Sequence, residues 1–174
     1  MNKKVLCVVA VLMVALFALC ACKTPTVLDN YESVKDAKNI VQTITVTNGS
    51  TEVAKQTSTF NMASGKVSVE KKVLNDVSAA EQFTTTTDTR DFTKSDAVAK
   101  LSGLTMSDVV TTDSSFKGTV ANADLKTAFG IEASSVNGGA AVELLAEDGK
   151  VVKMTVSYTS SNGNSVVIVS TFTY

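Results

Sequence analysis

The feature that most constrains the fold is a series of tight-turn dipeptides between stretches in which valine, isoleucine and threonine alternate. Asn48-Gly49, Asp148-Gly149 and Asn162-Gly163 supply the positive backbone φ angles that two-residue hairpin turns require. Valine and threonine are stiff about χ1 and pack well on a pleated surface, so the flanking residues favour strands. The chain is therefore predicted to form antiparallel hairpins that follow one another along the sequence.

The N-terminal part predicts four strands, and the last of them is predicted to be an edge strand or a weakly registered strand. The first strand ends at Asn48, residues 53–61 return, and a third strand follows Ser64-Gly65. Residues 81–89 are mostly threonine with poorly distinguished faces, which is typical of an edge strand. Residues 109–112 and 116–120 are interpreted as short strands or extended loop.

The C-terminal part predicts a meander of three strands, over residues 140–146, 152–159 and 165–174. In the last strand, Val166, Ile168 and Phe172 alternate with polar or valine positions, so they are expected to share one face. Tyr174 falls on that face too, and the end of the chain is therefore expected to be held in the sheet.

Three helices are predicted from caps and from apolar spacing. Asp29 and Glu32 resemble a capping box, and an amphipathic helix of about three turns is expected to follow. Its apolar stripe consists of Leu28, Tyr31, Val34, Ala37 and Val41. Ser95 is expected to cap a short helix through Leu101, and Asn122 to open another that ends before Gly130.

This order of elements predicts an α+β fold. It is not the alternating pattern of a parallel sheet. We expect one curved antiparallel sheet of about seven or more strands, with the N-terminal helix and the two short helices on its concave side.

The first 21 residues have the composition of an export signal. Lys3 and Lys4 precede an apolar run over residues 5–19. Export signals have this order, with a positively charged segment followed by an apolar one. The alternative is a retained anchor helix, since a spanning helix needs about 20 apolar residues. Both interpretations place the rest of the chain outside the cytoplasm.

Leu19-Cys20-Ala21-Cys22 resembles the lipobox of bacterial lipoproteins, with an aliphatic residue three positions before the cysteine and a small residue next to it. Cys20 competes with Cys22, but Leu19 before Cys20 is too large for the cleavage site. The resemblance implies cleavage between Ala21 and Cys22, then diacylglycerol on the Cys22 sulfur and a further acyl chain such as palmitate. It divides the chain into a signal peptide (1–21), a tether (22–28) and a single domain (29–174), anchored by Cys22 to a membrane of the cell envelope or the cell surface.

Composition limits the chemistry that the mature chain can perform. Histidine is absent, which removes the commonest general base and the commonest metal ligand. Asp88, Asp91 and Asp96 lack the spacing of a calcium loop and are interpreted as a solvated cluster. Gly138-Gly139 is interpreted as a loop. Because charges nearly balance, with 16 basic and 17 acidic residues, nucleic acid is not expected as a partner. No catalytic residue, metal or cofactor is predicted.

The order of elements over residues 29–174 resembles the LolA-like superfamily of lipoprotein carriers and exported lipoproteins, whose curved sheet forms an open half-barrel around helices. The resemblance implies a non-enzymatic binding module for a hydrophobic or amphipathic ligand. The candidate lining of such a cavity is Phe60, Met62, Leu125, Phe129, Val152, Met154, Val156 and Tyr158. The alternative is a structural or interaction lipoprotein whose core is filled and binds no small ligand.

Overall fold

A computed structural model describes residues 26–74 and 83–174 of the protein, which form one antiparallel sheet of nine strands with a few short helices. The strands are β1 (Asn39–Asn48), β2 (Thr51–Asn61), β3 (Lys66–Leu74), β4 (Phe83–Asp91), β5 (Met106–Thr111), β6 (Ser115–Val120), β7 (Val136–Glu147), β8 (Lys150–Ser160) and β9 (Ser165–Thr173). Their order across the sheet is β4-β3-β2-β1-β9-β8-β7-β6-β5.

The predicted antiparallel sheet is confirmed, and its centre is the pairing of β1 with β9. Ile40 lies opposite Phe172 and Ile44 opposite Ile168, so the N-terminal hairpins and the C-terminal meander join in one sheet. The predicted edge position of the threonine-rich strand is also confirmed, because β4 is the last strand on one side. The 109–112 and 116–120 segments both lie in strands, β5 and β6.

The predicted N-terminal α-helix is wrong. An eight-residue 3-10 helix, Asp29–Asp36, stands in its place, and Val41 belongs to β1. The capping box lies one turn earlier than predicted: the Asp29 amide donates to Thr26 Oγ1 at 3.3 Å, and the Thr26 amide donates to Asp29 Oδ2 at 2.9 Å. Val27 is 1 % exposed and belongs to the core, so ordered packing already includes residues assigned to the tether.

The two other helix predictions have opposite outcomes. The α-helix α1 (Leu125–Phe129) follows a 3-10 turn at Asn122–Asp124 and ends at Gly130, whose φ of 70° is the left-handed conformation expected there. Asn122 is not a side-chain cap, because its Nδ2 donates instead to the Val136 carbonyl at 3.1 Å. The helix predicted from Ser95 to Leu101 is only a 3-10 turn, Lys94–Asp96.

Gly138-Gly139 is not a loop, because both residues lie near the start of β7, where the pairing register with β8 shifts. A Cβ atom on Gly139 would stand 2.5 Å from the Val120 carbonyl oxygen. Glycine therefore allows the β7 backbone to approach β6 more closely than any other residue would.

Residues 92–105, here named the connector, cross the concave face of the sheet from one edge to the other. They must do so because β4 and β5 lie at opposite edges yet follow one another in the chain. Nine strands spaced by about 4.8 Å span roughly 38 Å when flat, while the connector reaches at most about 50 Å when fully extended. Since the connector includes a 3-10 turn, this crossing favours a curved sheet.

The connector and the helices cover one part of the inner face. Leu101 of the connector is 2 % exposed, and the amide of Lys100 donates to the Ala128 carbonyl in α1 at 2.9 Å. The N-terminal 3-10 helix packs against β8, and its Tyr31 ring meets the Phe172 ring edge-on with 6.4 Å between centroids. Among the residues that the structure describes, no helix is long and apolar enough to cross a membrane.

Candidate functional site

A cleft of about 480 Å³ lies between the sheet, the connector and α1. Its floor comes from β1, β8 and β9, and its roof comes from the connector and from α1 with the residues that follow it. The floor consists of Gln42, Ile44, Met154, Val156, Tyr158 and Ile168, and the roof of Ser95, Ala97, Val98, Ala99, Lys100, Lys126, Thr127, Ala128, Phe129, Gly130 and Ile131.

The floor is apolar because strand register brings three branched side chains into one row. Val156 lies opposite Ile168, and Ile168 lies opposite Ile44, so the row crosses β8, β9 and β1. The neighbouring row runs from Met154 through Ser170 to Gln42 and is polar at its β1 end. One side of the floor therefore suits an apolar group and the other offers an amide.

Half of the sequence-predicted lining residues meet at this cleft. Phe129, Met154, Val156 and Tyr158 line it. The other four lie elsewhere. Leu125 and Met62 are buried in the core at 0 % and 5 % exposure. Phe60 packs edge-on against Phe92 of the connector, with 5.1 Å between ring centroids.

Val152 is displaced from the predicted face by a β-bulge. Lys153 pairs with Leu145, but Val151 pairs with the next residue, Ala146, so β8 carries one extra residue at this point. Val151 is consequently fully buried, while Val152 is only half-buried. The prediction extended the two-residue alternation of inward-facing side chains from Met154 back to Val152. The bulge interrupts this alternation, so Val151 is the residue that faces inward.

Gln42, Ile44, Ile168 and the connector line the cleft but were missing from the sequence prediction. Ile168 was assigned to the correct face, so its place in the lining depended only on knowing that β9 pairs with β1. The sequence of the connector does contain a signal that it covers an apolar surface. Residues 92–105 carry Phe92, Val98, Leu101 and Leu104 outside any regular strand, and such apolar residues need a surface to cover.

A second cavity of about 510 Å³, here named the side depression, lies against the connector as well. It shares Ser95, Val98, Ala99, Lys100 and Thr127 with the cleft and adds Glu32, Lys35, Lys94 and Ser102. The connector therefore lines both cavities.

Four lysines surround the two cavities, and two of them are neutralised. Lys35 forms an ion pair with Glu32, and Lys126 forms one with Glu132 at 2.8 Å, which raises the pKa of Lys126. Within residues 26–74 and 83–174, neither Lys94 nor Lys100 has an ion-pair partner with a described side chain.

Two tyrosines near the cleft have perturbed hydroxyl groups. Tyr158 is half-buried in the lining, and this desolvation raises its pKa. Tyr31 is 3 % exposed, and burial raises its pKa more strongly, although the nearby Ala99 backbone opposes the shift. The Tyr31 hydroxyl makes no hydrogen bond of acceptable geometry in the described part of the chain.

Among the described side chains, Asp88 and Asp91 of the aspartate cluster lie in separate surroundings. Asp91 forms an ion pair with Lys66 at 2.5 Å across the edge pairing of β4 with β3. Asp88 is exposed on β4, opposite Val69. In the described ranges, no three acidic, histidine or cysteine side chains come together in a way that could hold a metal ion.

Four further predictions lie outside the described residues: the signal peptide, the cleavage position between Ala21 and Cys22, the lipidation of Cys22, and the start of the tether. No family model matches the sequence, and a search of curated proteins finds no significant match.

Proposed function

We propose that the protein is an exported lipoprotein, anchored by lipid on Cys22, whose domain binds a hydrophobic or amphipathic ligand without catalysis. The observation that carries the binding role is the cleft of about 480 Å³ with Ile44, Val156 and Ile168 in its floor. Ligand cavities are typically about 300–1,000 Å³ and mostly apolar, with a few polar groups. The volume of the cleft lies in that range, and its lining combines apolar side chains with polar groups such as Gln42 and Lys100.

The roof of the cleft supports the half-barrel arrangement implied by the LolA-like resemblance. The 3-10 helix packs on β8, α1 is tied to the connector through Ala128, and both lie with the connector over the inner face. A ligand that enters the cleft would therefore be enclosed between a sheet and short, separate covering segments.

A structural or interaction lipoprotein with a filled core is the second candidate. Leu101 and Leu125 favour it, since both are essentially fully buried and fill the inner face beside the cleft. The two candidates differ in one property, namely whether the cleft holds a ligand in the native membrane.

Filling the cleft tests the binding role. The full chain is produced in a bacterial host, extracted, and examined by native mass spectrometry for bound lipid. Ile44→Trp places an indole in the floor and is expected to remove the bound ligand, while Thr43→Trp, on the opposite face of β1, serves as the matched control. Wild-type protein that carries no ligand, or an Ile44→Trp protein that retains it, would contradict the binding role.

The anchor is tested separately by the mass of the mature N-terminus. We expect loss of residues 1–21 and an increase that corresponds to acylation of Cys22. Cys22→Ser is expected to retain the leader and to lack lipid. An unmodified Cys22 in the mature wild-type protein would refute the lipoprotein assignment.

A further inference from the structure

The residues around the cleft carry an excess of positive charge. Lys100 lines both the cleft and the side depression, and Lys94 lines the side depression. Both residues are exposed. Because Lys35 and Lys126 are already paired with glutamates, Lys94 and Lys100 are the cations that remain to interact with a ligand.

The sequence of the connector adds to this imbalance. Residues 92–105 contain Lys94 and Lys100 but only one acidic residue, Asp96. The cleft itself is lined by Lys100 and by Lys126, which is paired with Glu132, and by no carboxylate among its described residues. A ligand with a negative charge is therefore favoured over a neutral or cationic one of the same shape.

The size and lining of the cleft limit the apolar part of the ligand. The volume of about 480 Å³ lies within the range of small-ligand cavities and is compatible with one acyl chain. Partly exposed apolar side chains of the lining provide a surface for such a chain, namely Ile44, Val98, Phe129 and Ile131. Val156 and Ile168 lie beneath them at 0 % and 9 % exposure.

We propose that the cleft selects an amphiphile with one acyl chain and an anionic headgroup, a carboxylate or a phosphate. The chain lies against Ile44, Val98 and Phe129, and the headgroup lies at the connector between Lys94 and Lys100. This inference depends on the proposed binding role, because it names the class of ligand for the same cleft.

The test uses photoreactive probes on the full lipidated protein in nanodiscs. A diazirine-labelled fatty acid, its methyl ester and a diazirine-labelled lysophosphatidic acid are cross-linked, and labelled peptides are mapped by mass spectrometry. We expect labelling of β8, β9 and the connector by the acid to exceed that by the ester by about tenfold, since exposed ion pairs contribute up to about fivefold each. Stronger labelling by the acid or by the phosphate identifies which headgroup the site prefers.

The variant Lys94→Glu with Lys100→Glu is expected to reduce labelling by both anionic probes about tenfold and to leave ester labelling unchanged. The matched control, Lys55→Glu with Lys153→Glu, makes the same change in net charge on the outer face of β2 and β8 and is expected to have little effect. Lys94→Gln with Lys100→Gln removes the charges without reversing them and should give a smaller loss. Circular dichroism verifies that each variant is folded.

The outcomes separate the two proposals. Equal labelling of the cleft by acid and ester, unaffected by the lysine variants, would refute the anionic headgroup and leave the binding role intact. Cleft labelling by none of the probes, or labelling that survives Ile44→Trp, would refute both.

Discussion

The two sides of the sheet use the same residue types but differ greatly in burial. In the covered half, β6 to β9, the inner residues Val166, Ile168 and Phe172 are 5–9 % exposed. In the wing, β2 to β4, Val73 is 39 % exposed, and β4 is exposed along almost its whole length. Alternation of valine with polar residues predicts a strand in both regions, but it does not predict which strand becomes part of a core.

The difference arises from what lies over each region. The 3-10 helix packs on β8 and α1 is held to the connector, so the covered half is roofed. One inner row of the wing contains Gln56, Lys71 and Thr86 in register, which do not require cover, whereas the end near Phe92, with Phe60 and Val67, is covered. The floor of the cleft spans β8, β9 and β1, and β1 is the strand next to the wing. Ligand binding is thus expected at the boundary between the two regions.

The largest loss of stability is expected from truncating Leu101, which holds the connector against the covered half. Leu101→Ala leaves a cavity under the connector and should lower the free energy of unfolding by about 3 kcal/mol. Leu104→Ala is the matched control, because Leu104 is only half-buried in the same connector. Urea unfolding measures both. Equal losses for the two variants would show that the connector does not anchor the fold at Leu101.

The second prediction compares the same substitution in the two regions. Val120→Ala in β6 removes two methyl groups from a fully buried position and should cost about 2 kcal/mol, whereas Val73→Ala in β3 should cost less than about 0.5 kcal/mol. A costly Val73→Ala would mean that the wing is covered in solution by something that the described residues do not include.

The third prediction is that the wing opens without the covered half. β3 and β8 each have a partner strand on both sides, so the backbone of each is hydrogen-bonded to two neighbours. Few buried side chains support β3, and its amides should therefore exchange with deuterium at least about tenfold faster than those of β8. Equal protection would show that the sheet opens only as a whole.

Much of the sheet follows from the sequence because turn chemistry and alternation are local. The turn at Asp148-Gly149 has positive φ at both residues, 50° and 73°, as the dipeptide predicts. At Asn48-Gly49 and Asn162-Gly163 only the glycine has a positive φ, so these turns differ from the predicted type. The Val166, Ile168 and Phe172 face was predicted correctly because alternation is local. Seven of the nine strands follow from such local patterns, whereas the patterns of β5 and β6 are compatible with either a strand or an extended loop.

The candidate site was only half predictable, because it depends on contacts between distant segments. Phe129, Met154, Val156 and Tyr158 were identified, but Ile44 required the pairing of β1 with β9, and Val152 was misassigned because of a bulge. The N-terminal helix prediction failed in part because Asp29 bonds to Thr26 rather than capping an α-helix, and the segment Asp29–Asp36 forms a tighter 3-10 helix. Tertiary packing, which spacing alone does not encode, decided each of these cases.

The smallest expected effect concerns the tyrosines, which all belong to the covered half or its roof. Burial raises the pKa values of Tyr31, Tyr158 and Tyr174, and most strongly that of Tyr31. Below the unfolded pKa of about 10, both states keep the proton and stability does not depend on it. As the pH rises above about 10, the unfolded state releases the proton first, so stability falls.

Tyr31→Phe removes both this titration and a buried hydroxyl without a hydrogen-bond partner among the described residues. The variant should therefore be as stable as the wild type or about 1 kcal/mol more stable at pH 7, because no hydrogen bond is lost. Its stability should also fall less steeply between pH 10 and 11, by up to about 1.4 kcal/mol per pH unit. Tyr158→Phe, at a half-exposed position, should change the slope less. A Tyr31→Phe protein that loses stability at pH 7 and keeps the wild-type alkaline slope would show that the hydroxyl is paired and that the roof is packed differently at Ala99.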